Sequence, residues 1–233
     1  MPTIPRLLSS FVLVCLLSLS VHAQAPAPEP ILANQNRVAA GKLESGILNI
    51  QLELRSGAWR PEAEDGPQLF VQAFAEAGSH RAQIPGPLLR MPVGTTVHAS
   101  VTNKLKIKAT VYGFNTRPAD PQQGGTEISP GESHQFTFPV GAPGTYYYWA
   151  RTTEPLKLAT RTVIEPIRAD AQLNGAFIVD PADTPVSPDR IFVINSMFVA
   201  ADIIHPPVEV LSINGKSYPY TEPLAHSDTH HVH

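Results

Sequence analysis

The histidines near the C-terminal end of the sequence are the residues best suited to metal chemistry. His231 and His233 form a His-x-His pair, and His226 and His230 stand a few positions before it. Short His-rich tracts can bind Cu²⁺ or Zn²⁺ through their imidazole nitrogens. Terminal residues also fray without any functional role. The pair His231 and His233 is therefore a candidate metal site, and a frayed tail is the interpretation that the sequence favours.

A second candidate is the aromatic run within GTYYYWART. Residues Tyr146–Trp149, together with Phe114, could line a surface for aromatic compounds or glycans. In a strand, however, alternate side chains point to opposite faces, so part of such a run belongs to the core. Packing is the favoured interpretation, and the binding surface stays open as the alternative.

No other catalytic arrangement is visible in the sequence. The acidic residues are scattered, and no Ser-His-Asp order or phosphate-binding glycine loop occurs. The tripeptide Gly215–Ser217 resembles the end of a P-loop, but Val210 stands where that motif needs a glycine. His98, His134 and His205 are interpreted as an ordinary strand residue, a surface residue and a loop residue.

The first residues of the chain predict export. Arg6 precedes the apolar stretch LLSSFVLVCLLSLS, and VHA ending at Ala23 fits a small-residue cleavage site. Residues 1–23 are thus a predicted signal peptide, too short to span a bilayer core about 30 Å thick. Its removal also removes Cys15, the single cysteine of the chain, so the mature protein has no disulfide or thiolate site. We expect a secreted or periplasmic protein without membrane contact.

The charge balance gives no sign of nucleic-acid binding. The formal net charge is −3 for the whole chain, and it becomes one unit more negative without the signal, which holds Arg6 and no acidic residue. No basic run or cluster of arginine with aromatic residues stands out, so nucleic acid is not an expected partner. The 24 prolines are about twice the usual frequency of roughly 5%. They favour short strands joined by turns over long helices.

Alternating apolar residues predict a series of short strands. The segments GILNIQLELRSGAW, SHQFTFPV and NGAFIVDP show this pattern, with turn sequences such as SPGE between them. These features predict an all-β protein built as an antiparallel sandwich. We assign residues 24–44 to a Pro/Ala-rich leader that does not pack and residues 45–181 to the sandwich. Residues 182–189 are a linker, and residues 190–233 are the start of a second unit.

The second unit looks incomplete. Its apolar strand RIFVINSMFV is followed by VEVLSINGKSYPY, which reads as a strand, an Asn-Gly turn and a second strand. A sandwich of this type usually needs about 100 residues, and far fewer remain. The uncovered apolar strands are expected to pack on the first domain or on another subunit, or to stay mobile and aggregate.

Several motifs together resemble one known family. They occur in the order and spacing of the first cupredoxin domain of the laccase-like multicopper oxidases, followed by the opening strands of the second domain. The motifs are IPGPLLRMPVGTTVHASVTNKL, GFNTRP, PGESHQFTF, GTYYYWART, GAFIVDP, DRIFVINSMF and INGKSYPYTEPL. The resemblance implies a cupredoxin-like, antiparallel Greek-key sandwich followed by a partial second cupredoxin domain. It also implies copper-dependent oxidation of substrates coupled to the reduction of dioxygen.

In this family the first domain supplies two His-x-His pairs to a trinuclear copper cluster. On a strand, residues two apart share a face, so each pair directs two imidazoles towards the metals. By the resemblance, the first pair falls on Thr110 and Tyr112 and the second on Trp149 and Arg151. None of the four is a histidine, and the positive charge of Arg151 would repel copper. We interpret all four as former copper-ligand positions that bind no copper.

The expected function follows from this combination. The chain is interpreted as a secreted, laccase-like multicopper oxidase relative, an N-terminal portion that lacks the copper ligands and is inactive as a lone chain. The alternative is a non-catalytic cupredoxin-type binding module. The expected partner is a second copy of the chain or a missing downstream cupredoxin domain. We also expect the mature chain to self-associate, and a shorter chain ending near Asp183 to be a soluble monomer.

Overall fold

The computed structural model describes residues 27–79, 81–153, 165–182, 189–200 and 206–223. Regular structure within them is β-strand, apart from a 3₁₀ helix at Ala169–Gln172. In chain order the strands are β1 (Pro30–Ala33), β2 (Lys42–Glu44), β3 (Ile47–Trp59), β4 (Leu69–Glu76), β5 (Gln83–Ile84), β6 (Gly86–Pro92), β7 (Thr96–Asn103), β8 (Ala109–Tyr112), β9 (Thr126–Ile128), β10 (Ser133–Pro139), β11 (Gly144–Thr152), β12 (Glu165–Pro166), β13 (Asn174–Asp180), β14 (Ile194–Ala200) and β15 (Val208–Ile213). The predicted all-β class is confirmed.

Some sequence-based predictions fall outside these ranges. The signal peptide, most of the linker and the candidate metal pair His231 and His233 lie outside the described residues, as does His205. No helix in the described part of the chain is long and apolar enough to cross a membrane.

Two sheets face each other to form the sandwich. The larger has the order β1-β5-β4-β3-β7-β10, with β2 beside β3, and the smaller has the order β6-β13-β11-β8-β9. Most neighbours are antiparallel, but β3 with β7, β6 with β13 and both pairings of β1 are parallel. The predicted antiparallel sandwich is thus antiparallel in most of its pairings, with these four parallel exceptions. Alternation fixes which side a residue faces, but not the direction of the neighbouring strand.

The main core lies between these sheets and follows the period of two. Strand β7 buries Val97 and Val101 and turns His98 outward. From the smaller sheet, β11 buries Tyr148 and Ala150 in the same core. Burial of an apolar side chain of this size contributes about 1.5–3 kcal/mol. The alternation therefore fixes which residues of β11 remain on its outer face.

The sheet begins earlier in the chain than predicted. The proposed leader, residues 24–44, includes β1 and β2, and Ile31 of β1 is buried against β3 and β5. Pro30 is compatible with this because it is the first residue of a strand at the end of the sheet order, where a missing N–H is tolerated. The proline content of the leader therefore did not prevent packing.

The C-terminal strands pack on the outside of the sandwich. Strands β12, β14 and β15 form a small third sheet. Met197 and Val199 of β14 join a second core with Trp59 and Val71 of the larger sheet. The indole Nε1 of Trp59 donates a 2.9 Å hydrogen bond to the carbonyl of Gly215, just after β15. Of the outcomes that the sequence left open, packing on the first domain is the one observed.

A buried amide network holds the turn after β15 in place. The Asn214 side chain is 2% exposed, and its Oδ1 accepts hydrogen bonds from Asn36 Nδ2 at 3.2 Å and from the Val193 N–H at 3.0 Å. Its Nδ2 donates to the carbonyl of Ile191 at 2.9 Å. One side chain thus joins the N-terminal region, the segment before β14 and the turn after β15.

The predicted second strand of this hairpin is not formed in the described residues. Lys216 makes a single bridge with Ile213, and the chain then turns. Lys216 Nζ donates to two carbonyls of the loop at residues 60–62, and the Ser217 N–H donates to a third. These hydrogen bonds hold the chain against the first domain and away from β15. In addition, Pro219 has no backbone N–H with which to pair with β15.

The outer face of the β14–β15 hairpin remains apolar and exposed. Ile194, Phe198, Leu211 and Ile213 lie on it, and Ile194 is 68% exposed. Self-association through this face stays a prediction. A chain ending near Asp183 would lack the β14–β15 hairpin, and the apolar residues of the larger sheet in the second core would then be exposed to water. This exposure argues against the expected solubility of the shorter chain.

Replacement of Gly215 by alanine tests the docking of the hairpin. Its φ of +81° is strained for alanine, and an added Cβ would lie 2.2 Å from the Ile84 carbonyl oxygen. Gly131 is a matched control, since its φ is +80° and nothing lies within 4 Å of an added Cβ. We expect Gly215→Ala to lower the free energy of unfolding by about 2–4 kcal/mol more than Gly131→Ala. Equal losses in urea titrations would contradict tight docking.

Candidate functional site

Strands β8 and β11 place the four sequence-predicted residues side by side. In their antiparallel register, Tyr112 is opposite Trp149 and Thr110 is opposite Arg151. Residues between them, such as Ala150, are buried in the main core. All four side chains therefore belong to the outer face of the smaller sheet, as residues two apart on neighbouring strands must.

The aromatic members of this group stack on each other. The rings of Tyr112 and Trp149 are 4.2 Å apart between centroids and nearly parallel, with an interplanar angle of 8°. The indole Nε1 of Trp149 donates a 2.8 Å hydrogen bond to the Pro121 carbonyl. Gly125 packs so closely on Tyr112 that an added Cβ would lie 2.5 Å from the ring. The loop at residues 121–125 therefore holds the stack in one orientation.

Arg151 completes the group as a cation beside the indole. Its guanidinium carbon lies 5.6 Å from the centroid of the Trp149 ring. Among the described residues, no hydrogen-bond acceptor or carboxylate pairs with this guanidinium, and the residue is exposed. Arg151 is thus a solvent-accessible positive charge attached to an aromatic surface.

A groove of about 600 Å³ runs beside these residues. One wall is the outer face of β11, with Tyr147, Trp149 and Arg151. The other wall is formed by part of what we call the crossing segment, residues 189–196, which includes the first three residues of β14. Ala176 of β13 also lines the groove, and its small side chain leaves depth between the two walls.

The crossing segment is fixed at several points. Asp189 accepts a hydrogen bond from Arg90 at 3.1 Å, and the Asp180 carboxylate bonds the same guanidinium. Hydrogen bonding to Asp180, with the nearby charges of both carboxylates, raises the pKa of Arg90. Further along, Asn195 Nδ2 donates to Gln172 Oε1 at 3.0 Å between two buried side chains. The wall formed by this segment is therefore preformed.

An ion pair on the 3₁₀ helix also lines the groove. Asp170, whose side chain is 6% exposed, accepts two hydrogen bonds from Arg168 at 2.8 and 3.0 Å and one from the Thr152 N–H at 2.9 Å. The hydrogen bond to Asp170 is the main cause of the raised pKa of Arg168. Since its charge is neutralised by this partner, Arg168 contributes little net potential to the groove.

The other aromatic residues of the run serve the core. Tyr148 is fully buried, packs on Phe74 and Phe114, and donates a 2.6 Å hydrogen bond to the Pro87 carbonyl. Burial raises the pKa of Tyr148 well above its ordinary value. Tyr146 is half-buried and packs against the same core. Of the aromatic residues singled out in the sequence, only Tyr147 and Trp149 face the groove with their side chains on the outer side of β11.

Sequence reasoning missed the second half of the site. Arg168 and Asp170 lie in no motif, and DRIFVINSMF was interpreted only as an opening strand of the second unit. Their place beside β11 depends on contacts between distant segments, which the sequence does not reveal. The histidines His98 and His134 are both exposed and take no part in the groove, in agreement with their interpretation as strand and surface residues.

Residues 71–183 match the family model of the multicopper oxidases. The matched region, just under half of the chain, is therefore similar to a multicopper oxidase domain. L-ascorbate oxidase from Cucurbita pepo var. melopepo is 29% identical over 145 residues, covering 59% of this chain and 22% of that protein. L-ascorbate oxidase from Nicotiana tabacum is 30% identical over 98 residues, covering 39% and 15%. The alignments thus span less than a quarter of these relatives.

Solved multicopper oxidases share the fold of this chain. A multicopper oxidase from Campylobacter jejuni, described as a metallo-oxidase, is similar with a TM-score of 0.52 and 17% identity, over 82% of this chain and 41% of that one. Blue copper oxidase from Nitrosomonas europaea is similar with a TM-score of 0.50 and 20% identity, over 76% and 56%. These similarities confirm the cupredoxin-like fold.

Copper is the cofactor that the similarity to multicopper oxidases implies, and the four outward residues do not fit it. The Trp149 indole N–H is a donor only and is already bonded to a carbonyl. Arg151 has no lone pair to offer and repels a cation. No group of three or more His, Cys, Asp or Glu side chains that could hold a metal ion occurs in the part of the chain that the structure describes.

Substitutions in the ion pair test how the groove is built. Asp170→Ala leaves the Thr152 N–H and Arg168 without their shared acceptor, so we expect a loss of about 2–4 kcal/mol in unfolding free energy. Arg168→Ala removes a side chain that is 45% exposed, and we expect a loss below about 1 kcal/mol. Chemical denaturation of both variants measures the difference. Equal losses would show that Asp170 is held by Arg168 alone.

Proposed function

We propose that this chain is an exported multicopper oxidase domain that holds no copper at Thr110, Tyr112, Trp149 and Arg151 and has no oxidase activity as a lone chain. The observation that carries the proposal is the stack of Tyr112 on Trp149 with Arg151 beside it. A copper ligand must present a nitrogen, sulfur or oxygen lone pair to the metal. Trp149 and Arg151 offer no such lone pair, and Thr110 and Tyr112 offer only hydroxyl oxygens in place of the imidazoles that suit copper.

Export is part of the proposal. The N-terminal pattern of a basic residue, an apolar stretch and a cleavage site ending at Ala23 supports it. Accordingly, N-terminal sequencing of the secreted or periplasmic protein should show that it begins at Gln24.

A second candidate function is a non-catalytic binding module. The preformed groove along β11 favours it, because the groove includes two of the four positions and is fixed on both walls. The two candidates are compatible, since a strand face without copper is free to bind another ligand.

The copper content of the purified mature chain tests the proposal. Metal binding by the C-terminal His tract must be abolished first. For this purpose asparagine replaces His226, His230, His231 and His233. After incubation with Cu²⁺ and dialysis, we expect far less than one equivalent of copper and no oxidation of a phenolic substrate. Stoichiometric copper in this variant would overturn the proposal.

A rebuilt variant provides the matched control. In the same background, Thr110→His, Tyr112→His, Trp149→His and Arg151→His place two His-x-His pairs opposite each other on β8 and β11. Provided that circular dichroism shows a folded protein, we expect this variant to retain copper through dialysis. Failure of the folded variant to bind copper would contradict the assignment of these residues as ligand positions.

A further inference from the structure

The groove beside β11 combines an apolar interior with a single unneutralised charge among the residues that the structure describes. Its volume of about 600 Å³ lies within the range of about 300–1,000 Å³ that is common for small-molecule sites. Another cleft, of about 650 Å³ around Arg55, differs because its arginine is paired with Glu29 and Glu53. The guanidinium of that cleft is thus satisfied by two carboxylates, whereas the guanidinium of Arg151 has no carboxylate partner among the described residues.

The apolar surface of the groove suits a flat ligand. Tyr147 is 48% exposed, and Trp149 offers an indole whose orientation is fixed by its stack on Tyr112 and its hydrogen bond to the loop. The crossing segment supplies aliphatic surface through Val193 and Ile194. Phe192 of the same segment also lines the groove. Aromatic rings on one wall, with aliphatic groups and Phe192 on the other, favour a planar, largely apolar molecule.

The charge of the groove specifies a negative group on that molecule. The titratable side chains that line it are Arg151, Arg168, Asp170 and two tyrosines. Arg168 and Asp170 neutralise each other through two hydrogen bonds, which leaves the guanidinium of Arg151 as the net charge. A guanidinium presents a planar fork of donors that matches a carboxylate.

We propose that the groove between β11 and the crossing segment binds an aromatic carboxylate. The ring lies against Tyr147 and Trp149, and the carboxylate accepts hydrogen bonds from Arg151. This inference rests on the proposed function in one respect, because Trp149 and Arg151 must be free of copper. It goes further by assigning a ligand class to a site that includes the crossing segment and Tyr147, outside the four former ligand positions.

Binding of 2-naphthoate to the full mature chain tests the inference. Ligand-observed NMR titration in the presence of EDTA should give saturable binding with a Kd of ~1 mM or tighter, as expected for a ligand of this size. Naphthalene-2-carboxamide has the same shape without the charge. We expect it to bind about tenfold or more weakly, because it loses the charge-assisted hydrogen bonds to Arg151.

Two variants and a control locate the site. Arg151→Gln should weaken binding of 2-naphthoate by about tenfold or more and leave the binding of the carboxamide unchanged. Tyr147→Ala, at an exposed side chain, should weaken both ligands. Arg81→Gln removes an exposed arginine that does not line the groove, and it should change neither.

The contradicting results are distinct from those of the copper experiment. No saturable binding of 2-naphthoate by the wild-type chain, or equal binding by the Arg151→Gln variant, would overturn the inference. Equal affinity for the acid and the carboxamide would also overturn it, since the charge would then have no role. Because EDTA removes copper, each of these outcomes is read independently of whether copper binds at β8 and β11.

Discussion

The side-chain amide of Asn214 is the contact on which everything outside the sandwich depends. It accepts from Asn36 and from the Val193 N–H, and it donates to the Ile191 carbonyl. A buried amide left without partners costs about 1–3 kcal/mol, so the network is stable only when all three segments meet. This side chain, together with the Arg90–Asp189 and Asn195–Gln172 hydrogen bonds, positions the crossing segment and with it one wall of the groove. The covering of Trp59 by the hairpin follows as well.

Strand β11 shows how one segment can maintain a fold while its outer chemistry varies. Its inward residues, such as Tyr148, fill the core and bond the Pro87 carbonyl of β6. Its outward residues, Trp149 and Arg151, contribute little to that core. Because successive residues face opposite sides, substitutions at outward positions leave the inward contacts intact. A family fold can therefore persist around residues that do not suit the metal of the family.

The period of two explains what could be predicted from the sequence. This period predicted the strands β3, β7 and β11, and it predicted that Trp149 and Arg151 lie on one face. The resemblance added Thr110 and Tyr112 on the neighbouring strand, and the structure pairs them directly. Periodicity carries no information about distant partners. For that reason the parallel pairing of β1, the docking of Lys216 on the first domain and the groove at Asp170 were not predictable.

The Asn36–Asn214 contact also sets the order in which the protein can fold. Its two residues are 178 positions apart in sequence. Closing so long a loop lowers the conformational entropy of the chain before the contact contributes any stabilisation. The main sandwich can form from segments that are closer together. The second core must wait until residues near Asn214 are available, so Trp59 and its neighbours stay in contact with water in the meantime. Slow closure of this contact leaves an interval in which chaperones, or other unfolded chains, compete with the hairpin for the same apolar surface.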